Sequence, residues 1–300
     1  MSVYRYFAVA FSLTVASTAS AMTTLPAGGG VPFRNEAPSL GLRYLINVDG
    51  GAIDAGEVAL YAGRDTNRPT GWLPAEGQLL PIAGNETLFD KLQTTFGGDG
   101  VNDFALPDLR GRTVIGTGAR PGASAFVLGD TIGSETVTLT DLPAHSHALS
   151  AGLETDPVGS RVPHSNWQPS LALTPIIATQ GQFPSRSLVA PLDEAPSADI
   201  GSPGAGPLLG QMTWLAHDEV PSGWAVADGT LLDINSNQSL FSLLGAQYGG
   251  DGRTTFALPD LRGRAPTGSS GSVRVGLAFG SETETLIAAQ LPNHTHDLPN

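Results

Sequence analysis

The sequence predicts an α+β fold of two tandem units, loop-rich throughout, each made of short β-strands and turns around one short helix. Three observations predict it. The string FGGDGVNDFALPDLRGR over residues 96–112 returns as YGGDGRTTFALPDLRGR over 248–264, thirteen of seventeen positions being identical at an offset of 152. Self-similarity at a fixed spacing is the mark of an internal duplication. The chain carries 38 glycines and 23 prolines with only 14% charged residues, and Leu, Val, Ile and Phe recur between the breaks, a pattern of short strands and many turns. Finally, each copy holds one window with helical apolar spacing. A length of 300 residues suits two domains.

At the N-terminus, Arg5 precedes an apolar run from Tyr6 through Ala16, and Ala19-Ser20-Ala21 supplies the small residues of a signal-peptidase site. Residues 1–21 therefore read as a secretory signal cleaved after Ala21. A membrane anchor needs about 20 unbroken apolar residues, whereas this run is shorter and dotted with Ser and Thr. No later stretch is apolar enough to span a bilayer. Residues 22–55 form a Gly- and Pro-rich N-terminal arm whose last piece, Leu40–Ile46, is one strand or an oligomerisation arm.

Unit 1 covers 56–189. Alternation in Glu57-Val58-Ala59-Leu60-Tyr61-Ala62 predicts a strand, matched in the second copy by Gln211–Ala216. Leu88, Phe89 and Leu92 share one face of a helix over Glu86–Thr95, and Leu240, Phe241 and Leu244 repeat that face over Gln238–Gln247. Gly97-Gly98 and Gly249-Gly250 are placed to stop those helices. Residues 190–207, rich in Pro, Gly and Ala without apolar periodicity, read as a semi-rigid linker. Unit 2, residues 208–300, lacks a counterpart to the segment that closes unit 1 through Arg186, so it is shortened or borrows its closing segment from elsewhere.

The repeat extends beyond its core. Pro69-Thr70-Gly71-Trp72 returns as Pro221-Ser222-Gly223-Trp224, and Leu142-Pro143-Ala144-His145-Ser146-His147 as Leu291-Pro292-Asn293-His294-Thr295-His296. The order P-x-G-W, G-G-D-G, F-A-L-P-D-L-R-G-R, G-S-E-T, L-P-x-H-x-H resembles the phage tail collar domain, and within that group the bacterial microcystin-dependent proteins. The resemblance covers roughly 56–186 and 210–298. It implies a structural role in a fibre. It also implies a trimer in which each chain contributes one His-x-His to a metal ion on the threefold axis.

Composition narrows the function classes. A formal charge of −13, with Lys91 the only lysine, offers no basic footprint for a phosphate backbone, which excludes nucleic acid as a partner. An acidic surface suits an exported, soluble protein. The absence of cysteine leaves oligomerisation or metal to staple small exported domains.

The two His-x-His pairs are the sharpest candidate sites. On a strand, residues i and i+2 share a face, so His145 and His147 can address one ion, as can His294 and His296. Two imidazoles are too few for zinc, iron or nickel, so an inter-chain site, or one shared between repeats, must supply the rest. The competing reading makes these histidines turn residues that cap backbone groups.

Asp108, Arg110 and Arg112, with Asp260, Arg262 and Arg264, form the second candidate set. An Asp two residues from an Arg in extended chain presents both charges to one side and suits a buried or interface ion pair. Duplication of the surrounding Phe-Ala-Leu-Pro frame favours a packing role over a substrate-anion clamp. The Gly-Gly-Asp-Gly turns lack the context of a phosphate loop. Trp72, Trp224 and Trp167 read as core plugs rather than ligand-stacking platforms.

Catalysis finds little support. There is no cysteine nucleophile and no Gly-x-Ser-x-Gly elbow, so the chain reads as a non-enzyme. The rivals are a metal-dependent hydrolase starting from His294-Thr295-His296-Asp297 and a carbohydrate-binding surface module. The sequence thus reads as an exported structural or adhesive component, secreted or at the cell surface, forming a homo-oligomer and facing a cell-surface or glycan target.

Overall fold

The computed structural model describes residues 33–34, 39–50, 53–62, 68–137, 164–184, 207–269 and 273–284. These fall in one compact unit formed by Phe33–Val137 and His164–Glu284. The predicted signal segment, the predicted 190–207 linker up to Gly206 and all four histidines of the His-x-His pairs lie outside the described residues.

The first copy supplies β1 (Phe33–Arg34), β2 (Arg43–Asn47), β3 (Glu57–Tyr61), β4 (Trp72–Pro74) and β5 (Leu79–Pro81), followed by α1 (Glu86–Leu92). After the helix come β6 (Asp103–Ala105), β7 (Thr113–Gly116), β8 (Thr131–Ile132) and β9 (Thr136–Val137). The chain continues through β10 (His164–Ser165) and the nine-residue β11 (Ser170–Ala178). The second copy repeats the pattern with β12 (Met212–Leu215), β13 (Trp224–Val226), β14 (Leu231–Asp233), α2 (Gln238–Leu244), β15 (Thr255–Ala257) and β16 (Thr283–Glu284).

The fold is dominated by short, mostly antiparallel strands with two seven-residue helices. It is therefore richer in β-structure than an even α+β partition. Both helices also end three residues earlier than the apolar spacing predicts. Gln93 and Gly245 leave helical geometry at φ 48° and 58°, and their N–H groups bond to Phe89 and Phe241 carbonyls. The paired glycines shape the following turn instead of capping the helix. At Gly98 (φ 95°) an added Cβ would lie 2.4 Å from Phe104 Cα, and at Gly250 (φ 89°) 2.5 Å from Phe256 Cα. Only glycine allows that approach.

The aspartate between the glycines holds the turn. Asp99 Oδ1 accepts from the backbone N–H of Val101, Asn102 and Asp103 at 2.8, 2.7 and 3.0 Å. Asp251 Oδ1 accepts from Arg253, Thr254 and Thr255 at 2.9, 2.8 and 2.8 Å. Such Asx-type turns satisfy backbone donors that no strand can reach. Each turn returns the chain from the helix to an antiparallel pairing, β5 with β6 and β14 with β15, setting Leu80 opposite Phe104 and Leu232 opposite Phe256. Phe89 then packs on Phe104 with ring centroids 5.5 Å apart, and Phe241 on Phe256 at 5.4 Å.

The copies join in one sheet of order β13-β11-β12-β3-β2-β4, with β7 and β8 also paired to β11. All nine residues of β11 are buried, and the strand serves both copies. Its first half pairs parallel with β7, Ser170 opposite Thr113 through Leu173 opposite Gly116, and antiparallel with β8. Its second half pairs antiparallel with β12 and β13. Because side chains alternate across a strand, β11 feeds three apolar clusters. Leu171 and Leu173 enter the first copy's core beside Leu88, Leu92 and Phe104; Ala172 packs with Ile115 and Phe126; Ile177 enters the second copy's core beside Leu240 and Phe256.

Candidate functional site

Two groups of polar contacts lie where the two copies meet. Gly116, at the end of β7, bridges to Arg262, with Gly263 N–H donating to the Gly116 carbonyl at 2.8 Å and Gly116 N–H to the Arg264 carbonyl at 3.2 Å. The Asp260-Leu261-Arg262-Gly263-Arg264 arm of the second copy is thereby laid along the first copy. Arg120 Nε donates to the Arg262 carbonyl at 2.7 Å, and Arg262 Nη1 to the Ala119 carbonyl at 2.9 Å. Glu282 closes the same corner, 3.3 Å from Arg120 Nη2 and accepting from the Ser124 hydroxyl at 2.8 Å.

The two copies of the Asp-Arg motif share a geometry and differ in environment. Arg110 forks onto Asp108 through Nε–Oδ1 and Nη2–Oδ2, both 2.8 Å. Arg262 grips Asp260 in the same way at 2.9 and 3.2 Å. The Arg110 side chain is 65% exposed, whereas that of Arg262 is 29% exposed. The first copy's pair lies on the surface, and the second pair is half-buried because the first copy covers it. The Arg110 hydrogen bonds hold the Asp108 carboxyl below the usual carboxylate range. Burial acts to raise Asp260, and the bonds from Arg262 outweigh it to leave a lowered value.

The second arginine of each motif behaves differently again. Arg264 donates to the Asp260 carbonyl at 2.8 Å and lies 3.5 Å from its carboxylate. Arg112 has a buried Nε without a hydrogen-bond partner among the described residues.

Behind this arm lies an open cleft of about 1140 Å³, lined by Trp167, Tyr248, Asp260, Arg264 and the segment Val273–Glu282. Trp167 is half-buried and meets Phe126 edge to face at 5.3 Å. Trp72 and Trp224 are also half-buried and stand at the starts of β4 and β13.

A second polar group straddles the copies on the β3–β12 side, and no sequence motif pointed to it. Lys91 of α1 lies 2.6 Å from Asp54 Oδ2 and 3.5 Å from Glu219 Oε2. His217 is buried, with Nε2 2.9 Å from the Ala55 carbonyl and 3.8 Å from Asp54 Oδ2. Nε2 therefore carries the proton donated to that carbonyl, and Nδ1 has no partner among the described residues. Desolvation lowers the His217 pKa, with the Lys91 charge adding to the effect. Glu57, on β3, is also buried, and its Oε1 accepts from the Thr213 hydroxyl at 3.2 Å. Burial pushes its carboxyl up to about 7; the Thr213 bond opposes the shift and the Asp54 charge reinforces it.

His145, His147, His294 and His296 lie outside the described residues. Among the described residues no group of three His, Cys, Asp or Glu could hold a metal ion, and no helix is long and apolar enough to cross a membrane.

Fold and site together define a duplicated β-rich module with two groups of polar contacts at the joint between copies. The family model described as Phage Tail Collar Domain matches this chain twice, over residues 56–114 and 210–266. The chain thus carries the phage tail collar domain in two copies, and that family is one of structural tail-fibre domains rather than of enzymes. No curated protein and no solved structure gives a match.

Proposed function

We propose that this protein is an exported structural or adhesive component of an oligomeric, tail-fibre-like assembly, secreted or held at the cell surface and working without catalysis. The observation that supports it most is the pair of collar-domain matches at 56–114 and 210–266, laid side by side on one shared strand. Arg5, the apolar run after it and Ala19-Ser20-Ala21 support export, and the acidic, cysteine-free composition suits it. The same reading includes a divalent metal held across chains by the His145/His147 and His294/His296 pairs. Each pair supplies two nitrogens, so three chains supply six, an octahedral set for zinc, iron or nickel.

Electron microscopy and native mass spectrometry of protein recovered outside the cytoplasm test this reading. The expected result is an oligomer beginning at Met22. A monomer retaining Met1 in the cytosol overturns it.

A further inference from the structure

In the first copy, the front half of β11 lies between two strands of that copy. Thr113–Gly116 flanks it in parallel and Thr131–Ile132 antiparallel, with Thr113 N–H donating to the Pro169 carbonyl and Thr117 N–H to the Leu173 carbonyl, both at 3.0 Å. The second copy has both flanking pieces. At the repeat spacing, Ala265–Gly268 corresponds to Thr113–Gly116. Counting back from the shared Gly-Ser-Glu-Thr, Gly276–Phe279 corresponds to Gly129–Ile132. A Cβ built on Gly129 would meet Thr95, and one on Gly276 would meet Gln247, the residue matching Thr95.

No strand lies between those two pieces among the described residues. The cleft of about 1140 Å³ occupies that place, and Leu277 and Phe279 stand exposed along it.

The missing strand has a twin elsewhere in the chain. Pro38-Ser39-Leu40-Gly41-Leu42 repeats Pro169-Ser170-Leu171-Ala172-Leu173, and the pairing that follows makes the two equivalent. Ile46 lies between Val58 and Leu73, and Ile177 lies between their counterparts Met212 and Ala225. Ala75 N–H donates to the Tyr44 carbonyl as Ala227 N–H donates to the Pro175 carbonyl, both at 2.9 Å. Burial separates them: Leu171 and Leu173 are 2% and 0% exposed, whereas Leu40 and Leu42 are 83% and 43% exposed.

We infer that the Ser39–Leu42 segment of a second copy of this chain inserts between Ala265–Gly268 and Gly276–Phe279, repeating between chains the strand insertion that β11 makes within one. This rests on the oligomeric part of the reading above and names the surface that carries it.

Three details agree. Pro266 stands where Val114 does, and since donors on β7 alternate, with 113 and 117 facing β11, position 114 faces away; a proline there removes no bond to the inserted strand. Gly116 is tightly packed, a Cβ on it falling 2.2 Å from the Leu261 carbonyl oxygen, while its counterpart Gly268 has nothing within 4 Å. Arg110, the counterpart of the covered Arg262, is bare. Both open surfaces are thus the two halves of a contact already formed once. A head-to-tail contact of this kind is heterologous, and its repetition closes a ring or extends a filament. Insertion also satisfies edges that would otherwise recruit unrelated strands.

The test uses the full-length mature chain. Gly268→Val places its Cβ in open space within the chain and against the partner's Leu109 carbonyl in the inserted arrangement, by analogy with Gly116 and Leu261. It is expected to fold as wild type by circular dichroism yet reduce an oligomer to single chains in light scattering, as is Leu40→Glu/Leu42→Glu. The native sequence has no cysteine, so Leu40→Cys chains mixed with Pro266→Cys chains should yield a dimer with a short bis-maleimide, and neither should do so alone. An oligomer that survives both variants without the cross-link overturns the insertion and leaves the oligomeric reading standing. A monomeric wild type overturns both. A cross-link within one chain carrying both cysteines assigns the groove to the chain's own arm and overturns the inference.

Discussion

Thr213 of the second copy donates its hydroxyl to Glu57 Oε1 of the first at 3.2 Å, and Glu57 Oε2 has no partner among the described residues. A carboxyl so placed resists ionisation. Its raised value means that the folded chain holds a proton which the unfolded chain releases from about 4.5. The associated stability is complete below that value and is lost as pH rises to about 7. The loss is on the order of 3 kcal/mol. His217 acts oppositely: its lowered pKa means that stability falls as pH drops below the ordinary 6.5. Glu57→Gln should remove the alkaline loss and leave the acid one. Urea unfolding of both proteins at pH 5 and pH 8 checks this, with the variant gaining on wild type at pH 8; equal differences at both pH values would contradict it.

The unequal settings of the two Asp-Arg pairs predict unequal losses. Arg262→Ala removes charge-assisted bonds at the joint and should cost about 1.5–3 kcal/mol. Arg110→Ala removes a solvent-exposed pair and should leave the unfolding midpoint of the isolated chain unchanged. Thermal unfolding of the two variants, measured side by side, separates them.

Gly98→Ala and Gly250→Ala place a methyl against the next strand's backbone at positive φ. Each should destabilise by about 2–4 kcal/mol, combining strain with overpacking. Gly84→Ala, also at positive φ but with open space around it, should cost only about 1 kcal/mol. Similar midpoints for all three in denaturant titrations would remove the close-approach argument.

For the histidine pairs, elemental analysis with light scattering should find about one metal ion per three chains for each occupied motif. His145→Ala/His147→Ala and His294→Ala/His296→Ala should each lose metal and weaken the oligomer. A metal-free wild type, unaffected by chelator, returns these residues to the turn role.

Local signals were legible in the sequence and distant ones were not. The helix faces around Leu88 and Leu240 and the alternation that became β3 and β12 rest on neighbours within a few turns or strand residues, and the duplication shows as identity of strings, with no contact needed to see it. The shared role of β11 rests on a five-residue likeness, Pro38–Leu42 against Pro169–Leu173, at a spacing different from the 152 of the main repeat. It was therefore hidden behind the stronger match, and β11 reads as a closing segment of the first copy when it also opens the second. Asp108-Leu109-Arg110 and Asp260-Leu261-Arg262 are identical strings with different exposure, so no local rule distinguishes them; what covers one is Gly116 and Ala119 from the other copy. The environment of Glu57 comes from Thr213, 156 residues away, beyond the reach of any periodicity.

The central position of β11 bears on how the chain is made. A ribosome releases the first copy and β11 before β12 and β13 exist, so the later strands add to an edge already held by β7 and β8. The first copy is then the template on which the second is moulded. Synthesised without residues 170–178, the second copy would emerge with β12 and β13 lacking the strand between them, and its own apolar surface would be left to find another.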